Sequence, residues 1–206
     1  MSKDKPSAPT IDGTDLYIGI VASRFNADLV DKLVERVRET LRKHKVANGS
    51  IKLLRVPGAN EIPYVANMLA QTDEYDAVIA LGVVLAGETN HHEHIAHSTG
   101  VALQGIAIQS EVPVINGIII CENRAQAESR VFGEMDRGAE FAHAALEMAW
   151  HRVQLCDYLD ALDEEAAKAE REAFEAGAAD DEDEDDDKGF GGPGDGKGGR
   201  NPFHKN

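Results

Sequence analysis

The chain has 206 residues, enough for one domain with a sizeable core and too few to favour a second full domain. Its formal net charge of −16 is uneven: residues 157–206 hold 17 Asp and Glu against 6 Lys and Arg, a net of −11, and the first 156 residues carry the remaining −5. Nothing in that balance argues for nucleic acid, and Cys121 and Cys156 are too few and too far apart for a disulfide framework or a paired-thiol metal knuckle.

The opening MSKDKPSAPT lacks the apolar core of a secretion signal. The longest strongly apolar run, AVIALGVVLAG, is about half of the ~20 residues a membrane helix needs. With both thiols reduced, these features predict a soluble, cytoplasmic protein.

Residues 1–12 read as a flexible arm, and from Leu16 a strand and helix alternation begins and repeats four times. LYIGIVAS is a short apolar run fit for a buried strand, and NADLVDKLVERVRETLRKHK follows it with Leu29, Leu33, Val37 and Leu41 at helical spacing. SIKLLRVPG predicts a second strand stopped by Pro57 and Gly58, and ANEIPYVANMLAQT a short helix. YDAVIALGVVL is the third strand, with GETNHHEHIAH opening the next helix. VPVINGIIIC is the fourth, followed by a helix in NRAQAESRVF. From Gly138 to Gly177 a stretch rich in Ala, Glu and Leu predicts one long helix, of which 156–177 forms an extension beyond a domain at 13–155. The acidic and Gly-rich residues 178–206 cannot bury enough apolar surface to offset chain entropy, so disorder is expected there.

Apolar strands separated by helices of this length predict an α/β fold: three layers, flavodoxin-like, with a four-stranded parallel sheet flanked by helices. Ligands of such sheets bind at the carboxyl ends of the strands, so the segment after each strand is the place to look. After the first, Phe25 in SRFNA is either a core ring or an exposed face for a flat heterocycle. After the second, Glu61 in VPGANEIP either starts a helix or accepts hydrogen bonds from ligand hydroxyls, with backbone groups of Ala59 and Asn60 reading a ring edge. After the third, Gly87 and Thr89 precede a helix expected to begin near Asn90 with Thr89 as its cap; its free N–H groups suit a phosphate, with His91 beside it. After the fourth, Arg130 is either a solvated charge or a bidentate phosphate ligand.

Four of the eight histidines, His91, His92, His94 and His97, crowd into that third segment, which raises a metal site as a possibility. The zincin spacing HExxH fails by one residue, because Ala96 occupies its last position, and no Cys or Asp stands nearby to complete a tetrahedral set. No metal is expected.

Taken together, GIVASRFN, VPGANEIP, ALGVVLAGETNHHEHI, PVINGIIICENRAQAESR and RGAEFAHAALEM stand in an order that resembles the lumazine synthase family, over roughly residues 13–152. The resemblance implies condensation of 5-amino-6-(ribitylamino)pyrimidine-2,4-dione with 3,4-dihydroxy-2-butanone 4-phosphate, a step of riboflavin biosynthesis that needs no cofactor. It assigns Phe25 to ring stacking, Ala59, Asn60 and Glu61 to the ring and ribityl chain, and backbone groups of Val83, Val84 and Leu85 to the same side. It assigns Glu88, Thr89 and Arg130 to phosphate and His91 to proton transfer, a task suited to a side chain that titrates near neutrality.

The resemblance also implies a homo-oligomer, a pentamer or a sixty-subunit shell, with Asn116 facing a neighbour and riboflavin synthase as a candidate partner. Asn60 and Asn116 stand where the family usually carries a large aromatic or apolar side chain, and Arg137 where Lys is common, which predicts weaker stacking on the pyrimidine. Two alternatives share the fold: a flavin- or lumazine-binding module of flavodoxin type, and a shell-forming homologue with weak or no turnover.

Overall fold

Alternate side chains of a strand point to opposite faces, and in this chain both sets are apolar. Strand β1 (Ile18–Ser23) gives Ile18, Ile20 and Ala22 to one buried cluster and Val21 to another. Strand β3 (Ala77–Leu85) does the same, with Ala77, Ile79, Leu81 and Val83 on one side and Val78 and Ala80 on the other. Strands buried on both faces belong in a sheet covered by helices on both sides.

The computed structural model describes residues 9–133 and 135–180, which fall into two compact units, one running to Leu159 and one beginning at Asp160. In the first unit β2 (Ile51–Val56) and β4 (Val114–Cys121) complete a four-stranded, all-parallel sheet of order β2-β1-β3-β4. Helix α1 (Ala27–Lys43) packs Leu29, Leu33, Val37 and Leu41 on one face, joined by Ala142, Leu146 and Ala149 of helix α5 (Arg137–Asp180). Helices α2 (Ile62–Ala70) and α3 (His91–Ser110) cover the other face through Ile62, Ala66, Leu69 and Leu103. Helix α4 (Arg124–Val131) follows β4 and adds Ala127 and Val131 to the α1 side. This is the three-layer α/β architecture predicted from the alternating pattern.

The second unit, as far as it is described, is the part of α5 from Asp160 to Asp180. The helix therefore runs through Gly177 and three residues beyond the predicted start of the tail, because Ala176, Ala178 and Ala179 offset the cost of one glycine. The rest of the predicted tail lies outside the described residues, as do residues 1–8 of the predicted arm. The end of that arm is held in place. Ile11 is buried in the core, its carbonyl lies 2.9 Å from His44 Nδ1, and Asp12 pairs with Lys45 at 2.5 Å. Lys45 and the Thr14 hydroxyl, both hydrogen-bonded to Asp12, lower its carboxyl to a pKa of about 2. Among the described residues no helix is long and apolar enough to cross a membrane.

Candidate active site

The carboxyl ends of three strands are tied to one another by loop hydrogen bonds. Arg24 N–H, just past β1, donates to the Val56 carbonyl at the end of β2, 2.9 Å away. Asn26 adopts the left-handed conformation (φ 53°), which an Asn tolerates better than most residues, and caps the start of α1 by position. Its side-chain Nδ2 donates to the Val83 carbonyl of β3 at 2.8 Å.

β3 pairs with β1 only as far as Leu81 but with β4 as far as Leu85. Val83, Val84 and Leu85 therefore present an edge that no strand pairs on the β1 side, and a cavity of about 440 Å³ opens against it. Phe25 and Asn26 line one wall of that cavity, Gly58, Ala59, Asn60 and Glu61 a second, and His91 and Ile95 a third. Eight of the residues singled out in the sequence are thus brought to one place: Phe25, Ala59, Asn60, Glu61, Val83, Val84, Leu85 and His91.

The Phe25 ring is 72% exposed, so it is a surface of the cavity and no part of the core. It lies against Gly58, where an added Cβ would come within 3.4 Å of the ring and 3.0 Å of Glu61 Oε2. Glu61 Oε2 accepts from Gly58 N–H at 2.8 Å, so the carboxylate fixes the one-turn helix Ala59–Glu61 that leads into α2, with Pro63 in the first turn of α2. The helix-starting role expected of Glu61 is therefore seen directly, and the same residue borders the cavity.

Helix α3 begins at His91 with Asn90, and not Thr89, in the capping position, and no side chain accepts from its first turn. Asn90 O accepts from Glu93 N–H at 3.1 Å, which starts the helical turn one residue later than a cap at Thr89 requires. Glu88 and Thr89 lie exposed in the loop between β3 and α3, next in sequence to the cavity wall but not part of it. Of the clustered histidines, His91 faces the cavity and His94 and His97 are exposed. His92 Nδ1 is buried and finds no hydrogen-bond partner. Among the described residues no group of three or more His, Cys, Asp or Glu is arranged to hold a metal ion.

Asn116 and Arg130 are elsewhere. They border a second recess of about 220 Å³, with Ile118, Ile120, Arg137 and Phe141. Arg130 Nη1 donates to Cys121 Sγ at 3.3 Å and, at 3.4 Å, to the Gln126 carbonyl, which turns the guanidinium along β4. Asn116 is exposed on the outer strand, its Oδ1 accepting from Ile118 N–H at 3.1 Å. Asn26 and Ile95 are cavity residues that the sequence reading did not select. The signal for Ile95 was its position one helical turn after His91, and for Asn26 an Asn immediately after Phe25 and before a helix.

A family model described as 6,7-dimethyl-8-ribityllumazine synthase matches residues 15–152 of the chain. The 6,7-dimethyl-8-ribityllumazine synthase of Paracidovorax citrulli is 40% identical over 146 residues, covering 71% of this chain and 93% of its own. The protein of that name from Polaromonas sp. is 39% identical over the same shares, and that of Xanthomonas euvesicatoria pv. vesicatoria is 41% identical over 136 residues, 66% of this chain and 88% of its own. The chain belongs to the 6,7-dimethyl-8-ribityllumazine synthase family. Every wall of the cavity lies inside the matched span, and so does the recess at Asn116 and Arg130. The lumazine synthase match ends at residue 152, inside α5, so the remainder of that helix lies outside it.

Proposed function

We propose that the protein is a 6,7-dimethyl-8-ribityllumazine synthase, joining 5-amino-6-(ribitylamino)pyrimidine-2,4-dione to 3,4-dihydroxy-2-butanone 4-phosphate with release of phosphate and water. The observation that carries this is the convergence of an exposed aromatic face, an unpaired strand edge and an imidazole on one cavity, in a chain of this family. The pyrimidine stacks on Phe25, and backbone groups from Val83 to Leu85 and from Ala59 and Asn60 take its hydrogen-bonding edges. Glu61, whose second oxygen is not used in the cap, accepts from the ribityl hydroxyls. The phosphate sits over the first N–H groups of α3, beside Glu88 and Thr89.

His91 moves protons during imine formation, phosphate elimination and ring closure. Each of these steps needs a group that both gains and loses a proton near neutral pH, and imidazole is the side chain suited to it. Much of the acceleration comes from holding the two substrates together, since well-oriented reactants gain about 7–11 kcal/mol of the barrier this way. No cofactor enters the reaction.

Arg130 and Asn116 act across a boundary between copies: on their recess they complete the cavity of a second chain, Arg130 taking its phosphate. Supporting an assembly, α3 leaves Val101 and Ile108 exposed, 58% and 79%, on a helix whose fully buried residues are only Thr99 and Leu103. A pentamer, or a closed shell of pentamers with riboflavin synthase as its companion, working in the cytoplasm, is the form this takes. The test supplies both substrates to the full-length protein and follows lumazine fluorescence together with inorganic phosphate. Equal amounts of the two are expected. Binding of lumazine without phosphate release would identify a binding module instead.

A further inference from the structure

Arg130 is held along one side of its guanidinium. Nη1 donates to Cys121 Sγ at 3.3 Å, to the Gln126 carbonyl at 3.4 Å and to Gln126 Oε1 at 3.5 Å. Among the described residues Arg130 has no carboxylate partner and its Nε and Nη2 make no hydrogen bond, whereas Arg124 on the same helix is paired with both Asp28 and Glu128. The edge of the guanidinium formed by Nε and Nη2 is thus left, with its charge, for an anion at the recess that Arg130 borders, and two parallel N–H donors fit a phosphate.

Gln126 is itself fixed at two points. Its backbone N–H donates to Oδ1 of Asn123, the residue that caps α4, at 3.0 Å, and its Oε1 accepts from Glu122 N–H at 3.2 Å. One side-chain oxygen therefore links the residue directly after β4 to a guanidinium one turn along α4. Cys121, buried at the end of β4, supports the same Nη1 from the strand side. A long arginine side chain loses rotamer freedom when it grips an anion, and a side chain already tethered loses less. We propose that Gln126 is a positioning residue for the phosphate-bearing substrate: it holds Nη1 of Arg130 so that Nε and Nη2 form a ready two-donor edge, with Cys121 as the second support. This rests on the reading of Arg130 as a phosphate ligand and adds what orients it.

The experiment titrates inorganic phosphate into the full-length protein by calorimetry and measures the KM of each substrate in the same variants. Gln126→Met keeps the length and helix propensity of the side chain and removes its oxygen. It should weaken inorganic phosphate and raise the KM for the butanone phosphate by about tenfold, the worth of one hydrogen bond to a charged group, with kcat and the KM for the pyrimidine changed by less than about twofold. Gln126→Glu keeps an acceptor for Glu122 N–H and puts a carboxylate in the first turn of α4, where the helix favours it, so its melting temperature should hold. Its charge competes with phosphate for Arg130, so phosphate should bind more weakly than in Gln126→Met. Restored phosphate binding in Gln126→Glu would give Gln126 a purely structural role and overturn the proposal, as would a joint rise of both KM values in Gln126→Met. Arg130→Met separates the two levels. Phosphate lost there but bound normally by Gln126→Met would overturn the positioning role alone, and phosphate bound normally by Arg130→Met would overturn the reading of Arg130 together with it.

Discussion

The side chain of Asn26 donates from Nδ2 to the backbone carbonyl of Val83 at 2.8 Å, joining the turn after the first strand to the unpaired end of the third. Both sides of the cavity depend on this bond, because Phe25 precedes Asn26 and the backbone of Val83 to Leu85 forms the facing edge. Asn26→Ala removes the amide and also puts a Cβ-bearing residue without a polar side chain at φ 53°, which costs roughly 1–2 kcal/mol by itself. Asn26→Gly removes the amide but tolerates the backbone. Urea unfolding should find the Ala variant less stable than the Gly variant, and both should raise the KM for the pyrimidine; equal stability of the two would contradict the strain argument.

Gly58 lies close to two groups at once. Its φ of −138° is open to any residue, so an alanine there is opposed by space alone: its Cβ would stand 3.0 Å from Glu61 Oε2 and 3.4 Å from Phe25. Gly58→Ala should leave the melting temperature within a few degrees and weaken pyrimidine binding about tenfold by displacing the Phe25 ring and the Glu61 carboxylate. Calorimetric titration of the pyrimidine checks this.

Asn60 lines the cavity and Asn116 the recess assigned to the neighbouring copy, and neither amide stacks as an aromatic ring does. Asn60→Phe with Asn116→Phe should tighten pyrimidine binding by roughly three- to tenfold, the size of one added aromatic pair at about 0.5–1.5 kcal/mol. No gain in affinity would mean that Phe25 alone satisfies the ring.

Much of this arrangement could be read from the residues, for identifiable reasons. Strands whose two faces are both buried become continuous apolar runs, so β1 and β3 stand out, and the residues that follow them are where a parallel sheet places its ligands. Thr89 was legible as a cap only by residue type, and the choice between it and Asn90 rests on which carbonyl closes the first turn. Ile11 was hidden because a single apolar residue among polar ones has no period; its burial is decided by the distant α1 terminus at His44. Arg130 sits one turn from Gln126 on α4, and its turn toward Cys121 depends on side-chain packing that spacing does not encode.

The boundary role of Arg130 predicts complementation. His91→Ala and Arg130→Ala should each be nearly inactive alone. Co-refolded at equal amounts they should regain roughly a quarter of the wild-type rate, the share of random boundaries that unite the two intact residues. Activity no greater than the sum of the separate variants would assign both residues to the same chain's cavity.

Stability should fall in mild acid through His143. Its ring meets His44 edge-on, centroids 4.9 Å apart, and burial first, then the charge of His44 and of Arg36, hold it below the usual 6.5 against the opposing pull of Asp136. A histidine with a depressed folded pKa binds fewer protons folded than unfolded, so stability is complete above about 6.5 and is lost as pH falls from there through the folded value. Thermal melts between pH 7.5 and 5 should show this decline in wild type and a shallower one in His143→Gln.

The most direct measurement follows lumazine fluorescence from both substrates in wild type and His91→Ala side by side. Steady product formation by the wild type and a fall of about 10²–10⁴-fold in the variant, with pyrimidine affinity little changed, is the expected result. A wild type that forms no lumazine would contradict the proposed activity, and a variant as fast as wild type would remove His91 from the chemistry.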